Sequence, residues 1–461
     1  ALAGLVVYVA HRYVSRNATD TVWIAGIALT VLLSAMQIEN FVSGFQAQFF
    51  AIELAAVAAI VCLVQRRRSS LSLVAATGFS ALAVYTLASG IIVPFLAIPV
   101  ALWAGRSKAQ IILLSLSALA LLVSYLHGYI SPGYRLDPVR MLAQPDFFAF
   151  MAIELGNPFG LLFQEFGNTH YLYWAGGFGT LGLVLFATSA LTHLCRGRSI
   201  GEPALLFLAV AAFAISVVFL TVLGRLVLGV GEALSTRYAT PMLLFWLSLA
   251  MLALIEIRRR RRFWLLAMGL SLPCLLGLAY TQASFVNSGL ASVLPRREGI
   301  TALLADVDDP EALMHLYPVP ARLIAQAVQL RARHQGIFAD GWSTWLDTPL
   351  ADHTRLAASA QCRGAIEQIT ALPASGRRQW RVSGWAWDNS RGVAPERIVL
   401  TDGPERIIGY ALTGYAPYKP DGPKRSGWHG HLTADKTASI TAYALIDRNR
   451  AACPLRALGG G

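Results

Sequence analysis

Charge is scarce in this chain. Asp, Glu, Lys and Arg make up 14% of its 461 residues and apolar types 55%, whereas soluble domains carry about 25% charged residues. With a mean hydropathy of +0.53, the composition excludes an ordinary water-soluble domain. Metal-binding residues are thin as well: His429 and His431 share one strand face but lack a third ligand, so no metal site is expected. Gly177, Gly179 and Gly182 spell a dinucleotide fingerprint, yet no strand precedes them and they lie in an apolar run, which fits close helix packing instead. Internal repeats and a signal-peptide pattern are absent. The apolar run at residues 1–10 is half the length of a span, so the chain is expected to start inside a helix, with a loop upstream of it missing.

What the chain does have is long apolar runs, near 21–37, 46–64, 71–88, 90–104, 109–127, 171–193, 203–223, 239–256 and 263–281. All read as membrane helices. Fourteen of the eighteen Lys and Arg residues before residue 282 fall in every second connection, including Arg66 to Arg68, Arg106, Lys108 and Arg258 to Arg262. Positive-inside bias places those connections in the cytoplasm and the others outside it. Orientation therefore accounts for most of the +12 net charge, and no nucleic-acid partner is needed. Residues 147–163 are apolar too, but counting them as a span would split the Arg196 and Arg258 connections between two sides. With Gly156 and Pro158 inside it, this segment reads as interfacial or re-entrant.

The polar residues on the outer side are the candidates for chemistry. Glu39, Asn40 and Gln46 crowd a hairpin at a membrane boundary, where an ionisable group is costly unless paired or hydrated. Glu39 either activates an acceptor hydroxyl as a general base or bonds helix ends structurally. Tyr129, Tyr134, Arg135, Glu154 and Asn157 follow in a longer connection. Aromatic rings and amides suit a sugar and Arg suits a phosphate, although boundary aromatics also serve as an interfacial belt. Arg225, Arg237 and Tyr238 flank a loop with Glu232 and form the leading phosphate candidate, the alternative being an internal Glu232 salt bridge.

Beyond residue 281 the character becomes polar, with short amphipathic helices through 282–359, then period-two alternation through 360–461 that predicts a small β-sandwich. Cys362 and Cys453 bracket this module, as a disulfide worth roughly 4 kcal/mol or as two buried thiols. Trp385 and Trp387 point to one side of a strand and, with Asp388 and Trp428, are candidates for stacking on glycan; the competing role is core packing.

Taken together, QIENFVSGFQAQFF (37–50), YLHGYISP (125–132), ELGNP (154–158), ALSTRY (233–238) and GWAWD (384–388) resemble segments of bacterial polytopic GT-C glycosyltransferases with an appended carbohydrate-binding-like module. The resemblance implies an all-α transmembrane bundle over 1–281, N-terminally incomplete, in the inner membrane with its tail outside the cytoplasm. It also implies sugar transfer from a polyprenyl-phosphate donor to a glycan or glycolipid acceptor among membrane lipids. Such enzymes use an acidic residue of the first outer loop, which places the principal acid upstream of residue 1 and leaves Glu39 shaping the site. No cofactor is specified and a divalent cation is left open. A transporter or flippase of lipid-linked sugars and a non-catalytic envelope scaffold are the alternatives.

Overall fold

The computed structural model describes the chain except residues 16, 66–68, 130–137, 196–199, 258–260, 359–360, 374–377, 404–405, 417–422, 424, 436–439 and 457–461. Of 138–139, 194–195, 257, 261–275, 288, 290 and 292 it describes the backbone alone. Two compact units divide between Gly289 and Leu290, beyond the boundary at 281/282 read from the sequence.

The first unit is helical: α1 (Leu2–Tyr13), α2 (Ala18–Leu32), α3 (Ile38–Val42), α4 (Ala47–Val64), α5 (Ser70–Thr86), α6 (Ile92–Trp103), α7 (Lys108–Leu126), α8 (Pro138–Leu142), α9 (Pro145–Leu155), α10 (Asn157–Glu165), α11 (Tyr171–Cys195), α12 (Glu202–Arg225), α13 (Ala239–Ile257) and the start of α14 (Arg261–Leu304). Among the described residues six helices are long and apolar enough to cross a membrane, fewer than the nine expected. The runs near 71–88 and 90–104 form shorter apolar helices, divided by a turn at Leu87. There Gly90 lies so close to the Ala83 carbonyl that a Cβ would sit 1.9 Å from its oxygen. The 263–281 run falls within α14, where most side chains lie outside the described residues. Helices α9 and α10 meet at a 72° bend at Gly156, where the sequence predicts an interruption.

Small residues let these helices touch. A Cβ on Gly179 would lie 1.7 Å from the Ala152 carbonyl oxygen, and one on Gly156 would lie 1.8 Å from that of Ala175, so α9 and α11 pack backbone to backbone. Gly182 accommodates the ring of Phe245 from α13. The lettering that mimics a nucleotide motif is thus a packing seam.

The second unit holds the end of α14, α15 (Pro310–Met314), α16 (Pro320–Ala332) and eight strands: β1 (Arg355–Leu356), β2 (Cys362–Ala371), β3 (Gln379–Asp388), β4 (Arg397–Asp402), β5 (Arg406–Tyr415), β6 (Gly427–Thr433), β7 (Ile440–Ile446) and β8 (Ala451–Pro454). They form one sheet, ordered β1-β8-β7-β4-β5-β6-β3-β2, which corrects the expected two-sheet sandwich. The sheet curls on itself: Arg456, just past β8, exchanges backbone hydrogen bonds with Gly364 and Ile366 of β2, and Cys362 is bonded to Cys453. Val382, Ile398, Leu400, Trp428 and Ala444 fill the concave side. On the other side Val399, Ile407, Tyr410 and Tyr443 pack against Leu303, Leu313, Phe338 and Trp342. Residues from Ile300 to Leu350 therefore share a core with the sheet instead of forming a separate linker. Both faces are covered along β4, which is why Ile398, Val399 and Leu400 are consecutively buried where a one-sided strand would alternate.

Charged groups fasten α14 and α15 to the sheet. His431 Nε2 lies 2.9 Å from Asp309 Oδ2 and its Nδ1 2.8 Å from Thr301 Oγ1. Arg381 donates to Asp309 at 2.7 and 3.1 Å and to Glu311 at 3.0 Å. Alongside, His429 pairs with Glu298 and stacks on Tyr415 at 3.9 Å. Burial pushes the Asp309 carboxyl up, but the hydrogen bonds from His431, Arg381 and the Ala312 N–H outweigh it and hold the group well below the usual carboxylate range. Glu298 is likewise raised by burial and lowered, on balance, by His429 and Arg381. The two histidines share one face, as their spacing predicts, and each meets a carboxylate.

Candidate functional site

Three polar segments that are far apart in sequence meet at the connection from α12 to α13. This connection is a series of short 3-10 turns from Leu226 to Tyr238. From the first hairpin, Glu39 accepts a hydrogen bond from Thr236 Oγ1 at 3.0 Å, and Asn40 Nδ2 donates to the Arg237 carbonyl and to Thr240 Oγ1, both at 3.0 Å. From the α9–α10 bend, Asn157 Nδ2 donates to the carbonyls of Ala233 and Ser235 at 3.0 and 3.2 Å. Gln46 Nε2 reaches Glu39 Oε1 at 3.5 Å. Because these amides face carbonyl or carboxylate oxygens, they must present their NH2 groups there, which fixes their orientation. Their other ends, Asn40 Oδ1, Gln46 Oε1 and Asn157 Oδ1, are buried without a hydrogen-bond partner among the described residues.

Within the connection, Arg237 donates from Nε to Ser235 Oγ at 2.8 Å and from Nη2 to Glu232 Oε1 at 3.1 Å. The internal salt bridge considered from sequence is therefore present, and it leaves Arg225, which is exposed, as the more open cation. The Arg237 guanidinium also stands 5.6 Å from the centre of the Tyr238 ring. Tyr238 is buried, packs edge-on to Phe49, and has Arg225, Arg237, Glu232 and Glu154 within electrostatic reach of its hydroxyl. Glu154 is fully buried, and neither of its carboxylate oxygens has a partner within 3.5 Å among the described residues. The Thr221 side chain lies close enough to support it, but burying a carboxylate with so little else around it is expensive, so the location concentrates polar demand. With a half-buried carboxylate at Glu39, a paired guanidinium and an exposed one, this arrangement can accept a hydroxyl proton beside cations suited to a phosphate.

Other candidates fare differently. Tyr134 and Arg135 lie outside the described residues. Tyr129 is exposed, its ring 6.3 Å from that of Tyr125 and roughly parallel to it. Trp385 and Trp387 are half-buried on the same side of β3, as alternation requires. Trp428 is fully buried on the concave side of the sheet, where Gly384 makes room for its indole; it is a core residue and cannot stack on a glycan. Asp388 is buried too, and its Oδ1 accepts from Ser390 N, Ser390 Oγ and Arg391 N, so it shapes a turn instead of receiving sugar hydroxyls. Cys362 and Cys453 do form a disulfide.

Sequence reasoning singled out neither Thr236 nor Thr240. Gln37 is buried and accepts from Thr240 Oγ1 at 2.6 Å, completing the brace around Asn40. The signal available was the clustering of amides just after α2 and of hydroxyls at the start of α13. Arg106, read as a cytoplasmic charge, is buried and caps α4 through the carbonyls of Cys62 and Leu63. Among the described residues no three His, Cys, Asp or Glu side chains are grouped to hold a metal. No family model, curated protein or solved structure matches this chain.

Proposed function

We propose that this multi-pass membrane protein is a glycosyltransferase that moves a sugar from a polyprenyl-phosphate donor to a glycan or glycolipid acceptor outside the cytoplasm, in the inner membrane. The observation that carries this reading is the convergence of the Glu39 hairpin, the α9–α10 bend and the Leu226 to Tyr238 connection. These bring a carboxylate, two arginines and unpartnered amide oxygens to one location. In the proposed reaction the acceptor hydroxyl oxygen bonds to the anomeric carbon as the bond from that carbon to the phosphate oxygen breaks. Glu39 takes the hydroxyl proton, Thr236 orients it, and Arg225 with Arg237 stabilises the departing phosphate. Trp385 and Trp387 hold the acceptor polymer.

A flippase for lipid-linked sugars is the second reading, favoured by the 72° break between α9 and α10, since broken helices mark transporter sites. Detergent-solubilised protein given radiolabelled polyprenyl-phosphate sugars separates the two: transfer to acceptor supports the first, and translocation in liposomes without transfer supports the second. Glu39→Gln and Arg225→Ala are each expected to slow transfer about 100-fold. Unchanged rates in both variants would remove these residues from the site, and no transfer from any donor would end the glycosyltransferase reading.

A further inference from the structure

We infer that α16 lies on the surface of an anionic bilayer. This helix is apolar on two sides. Leu323 and Ala327 face the core of its own unit, while Ala321, Ile324, Val328 and Ala332, spaced by three or four residues, form a second strip that is exposed along its length. Val328 is 67% exposed, and just upstream Val319 and Met314 are 52% and 53% exposed, so the strip continues beyond the helix. A groove of about 610 Å³ between α16 and the end of α14 adjoins this strip, its apolar side formed by Leu303, Val307, Ile324 and Val328 and its polar side by Asp306, Asp308 and Arg331.

Charge selects the occupant. Residues 312–339 contain Arg322, Arg331, Arg333, His315 and His334 and no acidic residue, whereas Asp306, Asp308, Asp309 and Glu311 crowd the stretch just before them. Arg331 is committed to Asp306, but Arg322 and Arg333 are exposed. An apolar strip flanked by free arginines is the pattern of a helix lying in a lipid interface, its side chains among the acyl chains and its cations on anionic headgroups. A second copy of the same surface would instead bring like charges together. The chain also carries candidate membrane spans, so every copy is held at a bilayer and the surface needs little intrinsic affinity to engage one.

The test uses the full chain in phosphatidylcholine nanodiscs, with and without phosphatidylglycerol, and follows tryptic cleavage after Arg322 and Arg333. Cleavage after the exposed Arg355 of β1 serves as the internal control for protease access. Phosphatidylglycerol is expected to slow cleavage about fivefold for each engaged arginine relative to Arg355. High salt, or the Ile324→Asp/Val328→Asp pair at exposed positions, should restore the fast rate. Equal rates in both nanodiscs would overturn the inference. So would slow cleavage in detergent at every salt concentration, which would mean that the chain itself covers the helix, or protection that rises with protein concentration, which would mean that a second copy does.

Discussion

Among single residues, the two kinds of tryptophan in the β module divide by burial, and substitution should divide them again. Trp428→Ala is expected to cost about 4 kcal/mol by emptying the concave core, whereas Trp387→Ala should cost less than about 1 kcal/mol yet weaken retention on polysaccharide. Thermal unfolding and mobility in glycan-loaded gels measure the two effects separately. Alternation along β3 placed Trp385 and Trp387 on one face, and period two suffices for that. It could not place Trp428, because the curl of the sheet decides which face of β6 is enclosed. The same limit holds in the helical unit. Glu39, Asn40, Asn157 and Arg237 stand out singly as polar residues among apolar ones, but Asn40 and Arg237 are 197 residues apart, and no local pattern encodes that Asn40 holds the Arg237 carbonyl.

Among elements, helix contact and strand anchoring give two expectations. Gly179→Ala would drive a methyl group into the Ala152 carbonyl and separate α9 from α11, at a cost of about 3 kcal/mol. Gly177→Ala, with nothing within 4 Å of its added carbon, should be nearly neutral, and melting both variants in one detergent makes the comparison. In the second unit, Asp309 and Glu298 both have carboxyls held below their usual values. Their contribution to stability is therefore complete above roughly pH 5 and is lost as pH falls through the ordinary carboxylate range toward the folded values. Asp309→Asn should remove about 3 kcal/mol at neutral pH, since Arg381 and His431 lose their common acid, and should flatten the acid side of the stability curve followed by near-ultraviolet circular dichroism. Hydropathy located the long helices and the interruption at Gly156. It also divided the runs 71–88 and 90–104 beside the turn at Leu87, although it could not show that this turn depends on Gly90 meeting the backbone of α5.

At the scale of the whole molecule, composition and the change in periodicity were enough to separate a helical membrane part from a β module. The division itself fell at Gly289 because the residues after it find their core on the sheet. The disulfide closes a separation of 91 residues, so reducing it, or substituting Cys362→Ser and Cys453→Ser together, should lower stability by about 4 kcal/mol. Melting with and without reductant checks this. The meeting of Arg456 with β2 has another consequence. β8 is lined by β1 along its start and β2 is engaged beyond its end, so the two margins of the sheet secure each other. Over Gly364 to Ile366 an incoming peptide would find the edge of β2 already taken, whereas from Gln368 to Ala371 the strand pairs with β3 alone among the described residues. Any strand added at this margin of the module must therefore enter along the second half of β2, and its middle, clasped by Arg456 beside the disulfide, limits how long that added pairing can run.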